Sequence, residues 1–212
     1  RQPGAGGVPR PSLARMEPPA WSILVADVGS TGRDSPSDVP VVTAVTSGHT
    51  PVDRILQNPG GIWFRWAADD SLVYLSYRDG FPHLYSIQHP GMGSNATLLT
   101  PGPFMVEQVT LTPDRRFAIY NANTGSDPSD VDRRHLFKVP VNAAVPTQLT
   151  SGTGIEWSPV VTADNQTIAS LRSDAQRPPA PAVIPLSGGN LRAIGLNLLP
   201  REFPGERLVT PK

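Results

Sequence analysis

The 212-residue chain carries 25 prolines and 19 glycines, about a fifth of its residues, and this excludes a framework of long helices because Pro breaks them and Gly weakens them. With 38% hydrophobic residues, 17% charged residues and four Trp to bury, wholesale disorder is excluded too. The 18 basic and 18 acidic residues cancel to a net charge of +0, and there is no Cys, so bulk charge does not drive the chain to nucleic acid or a membrane surface, and it has no disulfide, thiol nucleophile or zinc-thiolate site.

Residues 1–20 are rich in Pro and Gly and read as a loose arm. Short apolar runs follow at 23–28, 41–45, 62–66, 72–77, 83–87, 106–111, 117–120, 135–141, 155–161, 167–171 and 181–186. They are rich in Val, Ile, Tyr, Phe and Trp and bounded by Gly, Pro, Asn or Asp, which is the signature of strands. Residues 29–40 and 123–132 read as long exposed loops. No segment sustains a helical apolar stripe over three turns, and no apolar run is long enough to span a bilayer as a helix. Trp63 and Trp66, three apart in a strand-like run, point to opposite faces.

A repeated order of features organises the chain. Ala68-Asp69-Asp70, LVYLSY, Arg78-Asp79-Gly80, HLYSI and Leu99-Thr100-Pro101-Gly102 form one unit. Thr112-Pro113-Asp114, RRFAIY, a loop, RHLFKV and Leu149-Thr150-Ser151-Gly152 form a second. Thr162-Ala163-Asp164, NQTIASL, Arg172-Ser173-Asp174, PAVIPL and Leu191 form a third. The acidic turn recurs at Asp70, Asp114 and Asp164, a period of about 40–50 residues with about four short strands per unit, which is the pattern of a β-propeller blade. The expected fold is therefore all-β, with blades of four antiparallel strands. Residues 21–199 hold about four blades, fewer than a large ring, so an incomplete propeller is expected.

Among the polar residues, His49, His83, His89 and His135 show no metal-ligand spacing. His83 and His135 hold matching repeat positions, which suits a structural role. Arg78-Asp79-Gly80 reads as a hairpin turn, with Arg78 a candidate for a substrate cavity. Arg133 and Arg134 follow an acidic loop; salt bridges to Asp127, Asp130 or Asp132 are one reading, and contact with another domain or a peptide carboxylate the other. No G-x-S-x-G elbow is present, so the chain offers no nucleophile. No cofactor or metal is expected.

YRDGFPHLY at residues 77–85, the following LTPG and VTLTPDRRFAIY, DRRHLF at 132–137 and GIEWSP at 154–159 resemble the dipeptidyl peptidase IV-like branch of the prolyl oligopeptidase family, bacterial type. Residues 199–211 resemble its connection into the peptidase domain. The resemblance implies a serine peptidase in which a propeller restricts access to an α/β-hydrolase domain. On that basis residues 200–212 are expected to be a linker, and the chain a non-catalytic propeller portion that gates and orients peptide substrates for a separate hydrolase domain. Its expected partners are that domain, further blades or a second copy, through the apolar residues Ile23, Val25, Leu198, Phe203 and Leu208. A periplasmic or secreted location is expected, a cytoplasmic one being the alternative. The competing functional reading is a stand-alone periplasmic propeller that binds or scaffolds.

Overall fold

The computed structural model describes residues 22–27, 41–47, 63–92, 94–125, 127 and 131–209. The arm at 1–20 and the loop at 29–40 lie outside them, as does part of the loop at 123–132. The described residues form β1 (Ser22–Asp27), β2 (Val41–Ser47), β3 (Phe64–Trp66), β4 (Ser71–Ser76), β5 (His83–Gln88), β6 (Thr97–Leu98), β7 (Val106–Leu111), β8 (Phe117–Ala122), β9 (His135–Pro140), β10 (Thr147–Gln148), β11 (Ile155–Val161), β12 (Thr167–Asp174), β13 (Arg177–Pro185) and β14 (Arg192–Ala193). Helical structure among them is limited to the 3-10 turns Leu196–Leu198 and Gly205–Arg207.

The strands make a two-stranded hairpin, β1–β2, and three antiparallel meanders, β3–β6, β7–β10 and β11–β14. Each fourth strand is two residues long, too short to be read from alternation. Ser76 pairs with His83 in the first sheet and Ala122 with His135 in the second, so the two histidines open the third strand of their sheets.

The alternation within each strand dictates the stacking. In β4, Leu72 and Tyr74 face the β1–β2 hairpin and pack with Ile23, Tyr85 and Ile87. Val73 and Leu75, on the opposite face, pack with Ala118, Tyr120, Phe137 and Val139 of the second sheet. The second sheet then turns Ile119 and Leu136 to Ile168 and Ile184 of the third. A single meander of this kind has two apolar faces and needs a neighbour on each. Ile23 is thus a core residue, 5% exposed, and not the open contact expected from the sequence: its strand is already covered by the first sheet. Leu198 is 80% exposed and Leu208 exposed, whereas Phe203 is half-buried.

The turn joining the first two strands of a sheet is the same in the second and third. The Thr112 hydroxyl donates to Asp114 Oδ1 at 2.6 Å and accepts from the Phe117 amide at 3.0 Å. The Thr162 hydroxyl does likewise with Asp164 at 2.6 Å and the Thr167 amide at 3.0 Å. Asp114 also accepts from the Arg116 amide and Asp164 from the Gln166 amide, the Asx arrangement that makes Asp favourable here. Asp70 differs. In its turn the Ser71 amide donates to the Ala68 carbonyl, with φ of 55° at Asp69 and 52° at Asp70, so residues 68–71 form a β-turn with two central residues of positive φ, of the primed type, and Asp70 caps no backbone amide within it.

Threonine hydroxyls and glycines close the other corner. Thr100 Oγ1 accepts from the Leu84 amide at 3.0 Å and Thr150 Oγ1 from the Leu136 amide at 2.8 Å. The glycine two residues on has a positive φ in both, 148° at Gly102 and 103° at Gly152, a region that favours Gly. This accounts for Leu-Thr-x-Gly.

The Thr112 and Thr162 hydroxyls, with the following backbone amides, hold the Asp114 and Asp164 carboxyls below the usual range. The folded state therefore binds fewer protons as the pH falls toward the ordinary Asp value of about 3.9. The stabilisation is complete above that value and is lost as the pH drops through the lowered one. Asp114→Asn and Asp164→Asn are expected to flatten the acid limb of a stability–pH profile measured by urea unfolding; an unchanged acid limb in both would refute this.

Candidate functional site

The loops between the second and third strands of the three sheets lie at one end of the stack, opposite the Asp114 and Asp164 turns. Arg78, Arg133 and Arg134 all lie in these loops.

Arg78 follows β4 in a turn closed by the Gly80 amide on the Tyr77 carbonyl, with Gly80 at φ 99°. Its guanidinium carbon lies 4.7 Å from the Tyr85 ring centroid and 5.6 Å from that of Tyr74, and Nη2 donates to Thr46 Oγ1 at 2.6 Å. Two cation–π contacts and a hydrogen bond fix it between the first sheet and the β1–β2 hairpin. Beside it, Asp79 Oδ2 lies 2.6 Å from His83 Nδ1. Burial, reinforced by the neighbouring Asp79 carboxylate, pushes the Tyr85 phenol well above its ordinary range.

Arg134 reaches Glu107 of β7, with Nη2 at 3.0 Å and Nε at 3.1 Å from the same carboxylate oxygen. Its contact with Asp132 is to the backbone carbonyl. The carboxylate partner of Arg134 is therefore Glu107, on another strand; Asp130 lies outside the described residues. Arg133 Nε donates to the Thr153 carbonyl at 3.2 Å.

Glu107 sits on a β-bulge between Val106 and Val109. Asn121 Nδ2 donates to Glu107 Oε2 at 2.6 Å while its Oδ1 accepts from the Gln108 amide at 3.3 Å. β11 carries the matching bulge between Trp157 and Val160, where Ser158 has φ 54° and its amide donates to Gln108 Oε1 at 2.8 Å. Bulges re-aim side chains in this way, and here they turn polar groups of neighbouring first strands toward each other.

The two repeat histidines serve different junctions. His83 packs edge-on against Phe104, ring centroids 5.3 Å apart, and pairs within its own sheet. His135 Nδ1 reaches across to Glu156 Oε2 of the third sheet at 3.2 Å, and the Thr150 hydroxyl donates to the same oxygen at 2.7 Å. Arg172 Nε lies 3.7 Å from Glu156 Oε1. Glu156 is 0% exposed, and register places it where the second sheet has buried Val106. No sequence signal separated these two positions. Among the described residues no group of three or more His, Asp or Glu could hold a metal.

At the other end of the stack, a groove of about 540 Å³ separates β3 from β7. It is lined by Trp63, Arg65 and Trp66 on one side and by residues from Val109 to Pro113 with Arg115 on the other. Trp63 is half-buried against the core between the first two sheets and Trp66 is exposed.

Meanders stacked face to face, each beginning with an inner strand and repeating the same corners, define blades of a β-propeller. The chain belongs to the family of the dipeptidyl peptidase IV N-terminal region, whose sequence profile matches residues 35–179. Its fold is similar to that of dipeptidyl peptidase 4 from Porphyromonas gingivalis, with a TM-score of 0.55 at 17% identity, over 74% of this chain and 21% of that one. A puromycin-hydrolysing peptidase from Mycobacterium tuberculosis also has a TM-score of 0.55, at 13% identity over 82% of this chain and 24% of its own. A puromycin hydrolase has a TM-score of 0.51 at 15% identity, covering 72% and 23%. The chain thus spans less than a quarter of each of these structures. No curated protein sequence matches it.

Glu156→Ala is expected to lower stability by about 3–5 kcal/mol, because it leaves buried partners unpaired. Glu156→Gln, which keeps one acceptor oxygen, is expected to cost less. Urea unfolding of the two variants checks both the size and the order.

Proposed function

We infer that this chain is the non-catalytic propeller portion of a dipeptidyl peptidase-like serine peptidase, gating and orienting peptide substrates for a separate α/β-hydrolase domain. The family membership carries this reading. Two features support it. Residues 199–209, which resemble the connection into a peptidase domain, fold back on the loop end of the third sheet, where Gln176 Nε2 donates to the Leu208 carbonyl at 3.1 Å. That is the end where Arg133, Arg134 and the Glu107 bulge lie, and a domain reached through this segment meets those groups first.

The third sheet supports a partner on a second count. Ile168 and Ile184 are buried against the second sheet, while Ala169, Leu171 and Val183 on the opposite face are only half-buried. Leu198 and Val209 are largely exposed. Fully covering one such side chain is worth about 1.5–3 kcal/mol, so further blades, the hydrolase domain or a second copy stabilises the chain by packing here. The setting proposed is periplasmic or secreted.

The 212-residue chain is expected to be inactive on a chromogenic Xaa-Pro dipeptide amide, and to self-associate or bind a separately produced hydrolase domain in sedimentation experiments. Turnover abolished by changing one of its own serines would overturn the reading. A compact monomer with a cooperative melt and no affinity for the hydrolase domain would favour a stand-alone binding module.

A further inference from the structure

The groove between β3 and β7 has a chemistry that neither the fold nor the hydrolase reading uses. Among the described residues β3 is an edge strand, paired with β4 alone, and all three of its residues are exposed. Trp63, Trp66, Leu111 and Pro113 all line the groove. Among the described residues of its lining, Arg65 and Arg115 are the charged ones.

These two arginines differ from the others considered above. Arg134 and Arg172 have carboxylate partners, and Arg78 lies between tyrosine rings. No carboxylate among the described residues comes within ion-pair distance of Arg65 or Arg115. Arg65 donates only to the neighbouring Phe64 carbonyl, at 2.7 Å, and lies 5.7 Å from the Trp63 ring centroid. The Arg115 carbonyl accepts from the Ala68 amide at 2.9 Å, and among the described residues its guanidinium has no hydrogen-bond or ion-pair partner. Of the acids in the adjoining turns, Asp114 bonds Thr112 and the Arg116 amide, Asp70 lies 3.5 Å from His89, and Asp69 forms no ion pair with either arginine among the described residues.

We propose that this groove binds an extended acidic peptide, its apolar side chains against Trp66, Leu111 and Pro113 and its carboxylates on Arg65 and Arg115. Tryptophan and proline faces take apolar side chains. A guanidinium takes a carboxylate in a bidentate, charge-assisted pair. The open edge of β3 suits a peptide lying along it, as in recognition by strand addition. A neutral or basic peptide leaves both guanidiniums without a counter-charge. The site is built from this chain alone, so it stands whether or not a hydrolase domain is the partner.

The test is titration of the whole 212-residue chain with acetyl-Glu-Leu-Glu-Phe-amide and with its Gln-Leu-Gln-Phe counterpart, followed by tryptophan emission and by calorimetry. The acidic peptide is expected to bind saturably, to weaken with added salt, and to bind about tenfold more tightly than its glutamine counterpart. Arg65→Gln and Arg115→Gln are each expected to remove most of that preference, and Arg192→Gln, on β14, to leave it intact. Equal affinity for the two peptides, absence of saturable binding, or full preference in both groove variants would overturn the proposal. If either variant fails to fold by circular dichroism, the comparison of the two peptides on the unaltered chain decides.

Discussion

A four-stranded meander that is apolar on both faces cannot be left uncovered, and every other feature of this molecule follows from that constraint. β4 is buried along its whole length, with Leu72 and Tyr74 turned one way and Val73 and Leu75 the other. Stability is therefore a property of neighbouring sheets and not of any one of them. The first sheet lies between the β1–β2 hairpin and the second sheet, and the second between the first and the third. The third, with one face half-open, is where the chain depends on what lies beyond it.

Stacking also decides which polar groups meet. At the first junction between meanders the contact is largely apolar: Val106 is buried and His83 packs on Phe104. At the second, the position of Val106 is taken by Glu156, and a buried carboxylate joins His135, Thr150 and Arg172. A buried ion pair adds little net stability but is costly to break on one side. The second junction thus has a polar contact that the first lacks, His135 of the second sheet reaching Glu156 Oε2 of the third while Glu156 Oε1 has only Arg172 of its own sheet nearby.

The two ends of the stack carry different chemistry for a related reason. At the end formed by the second-to-third-strand loops, arginines are paired and the bulges of β7 and β11 interlock through Gln108 and Ser158. At the end formed by the first-to-second-strand turns, Asp114 and Asp164 are tied up by their own threonines, and among the described residues Arg65 and Arg115 have no ion-pair partner beside exposed Trp66.

The strand positions, the propeller blade and the family were legible in the sequence, because a period of two in side-chain direction, Gly and Asp at turns and a recurring Leu-Thr-x-Gly are all local signals. The equivalence of His83 and His135 was legible for the same reason. Local pattern failed where the answer depended on another part of the chain. Asp70 looked like Asp114, yet its turn is one residue shorter and needs positive φ at two positions, a difference set by where β3 and β4 pair. Arg134 was matched to nearby aspartates, but a bulge 27 residues away presents Glu107 instead. Ile23 looked exposed because its cover is a sheet that begins some 40 residues later. The sequence by itself determined the strands, their turns and the repeating unit, since these rest on backbone preference and alternation within a few residues. Only the tertiary structure decided the partners of the charged groups and the groove between β3 and β7, since these arise from register, bulges and the stacking of sheets that are distant in the chain.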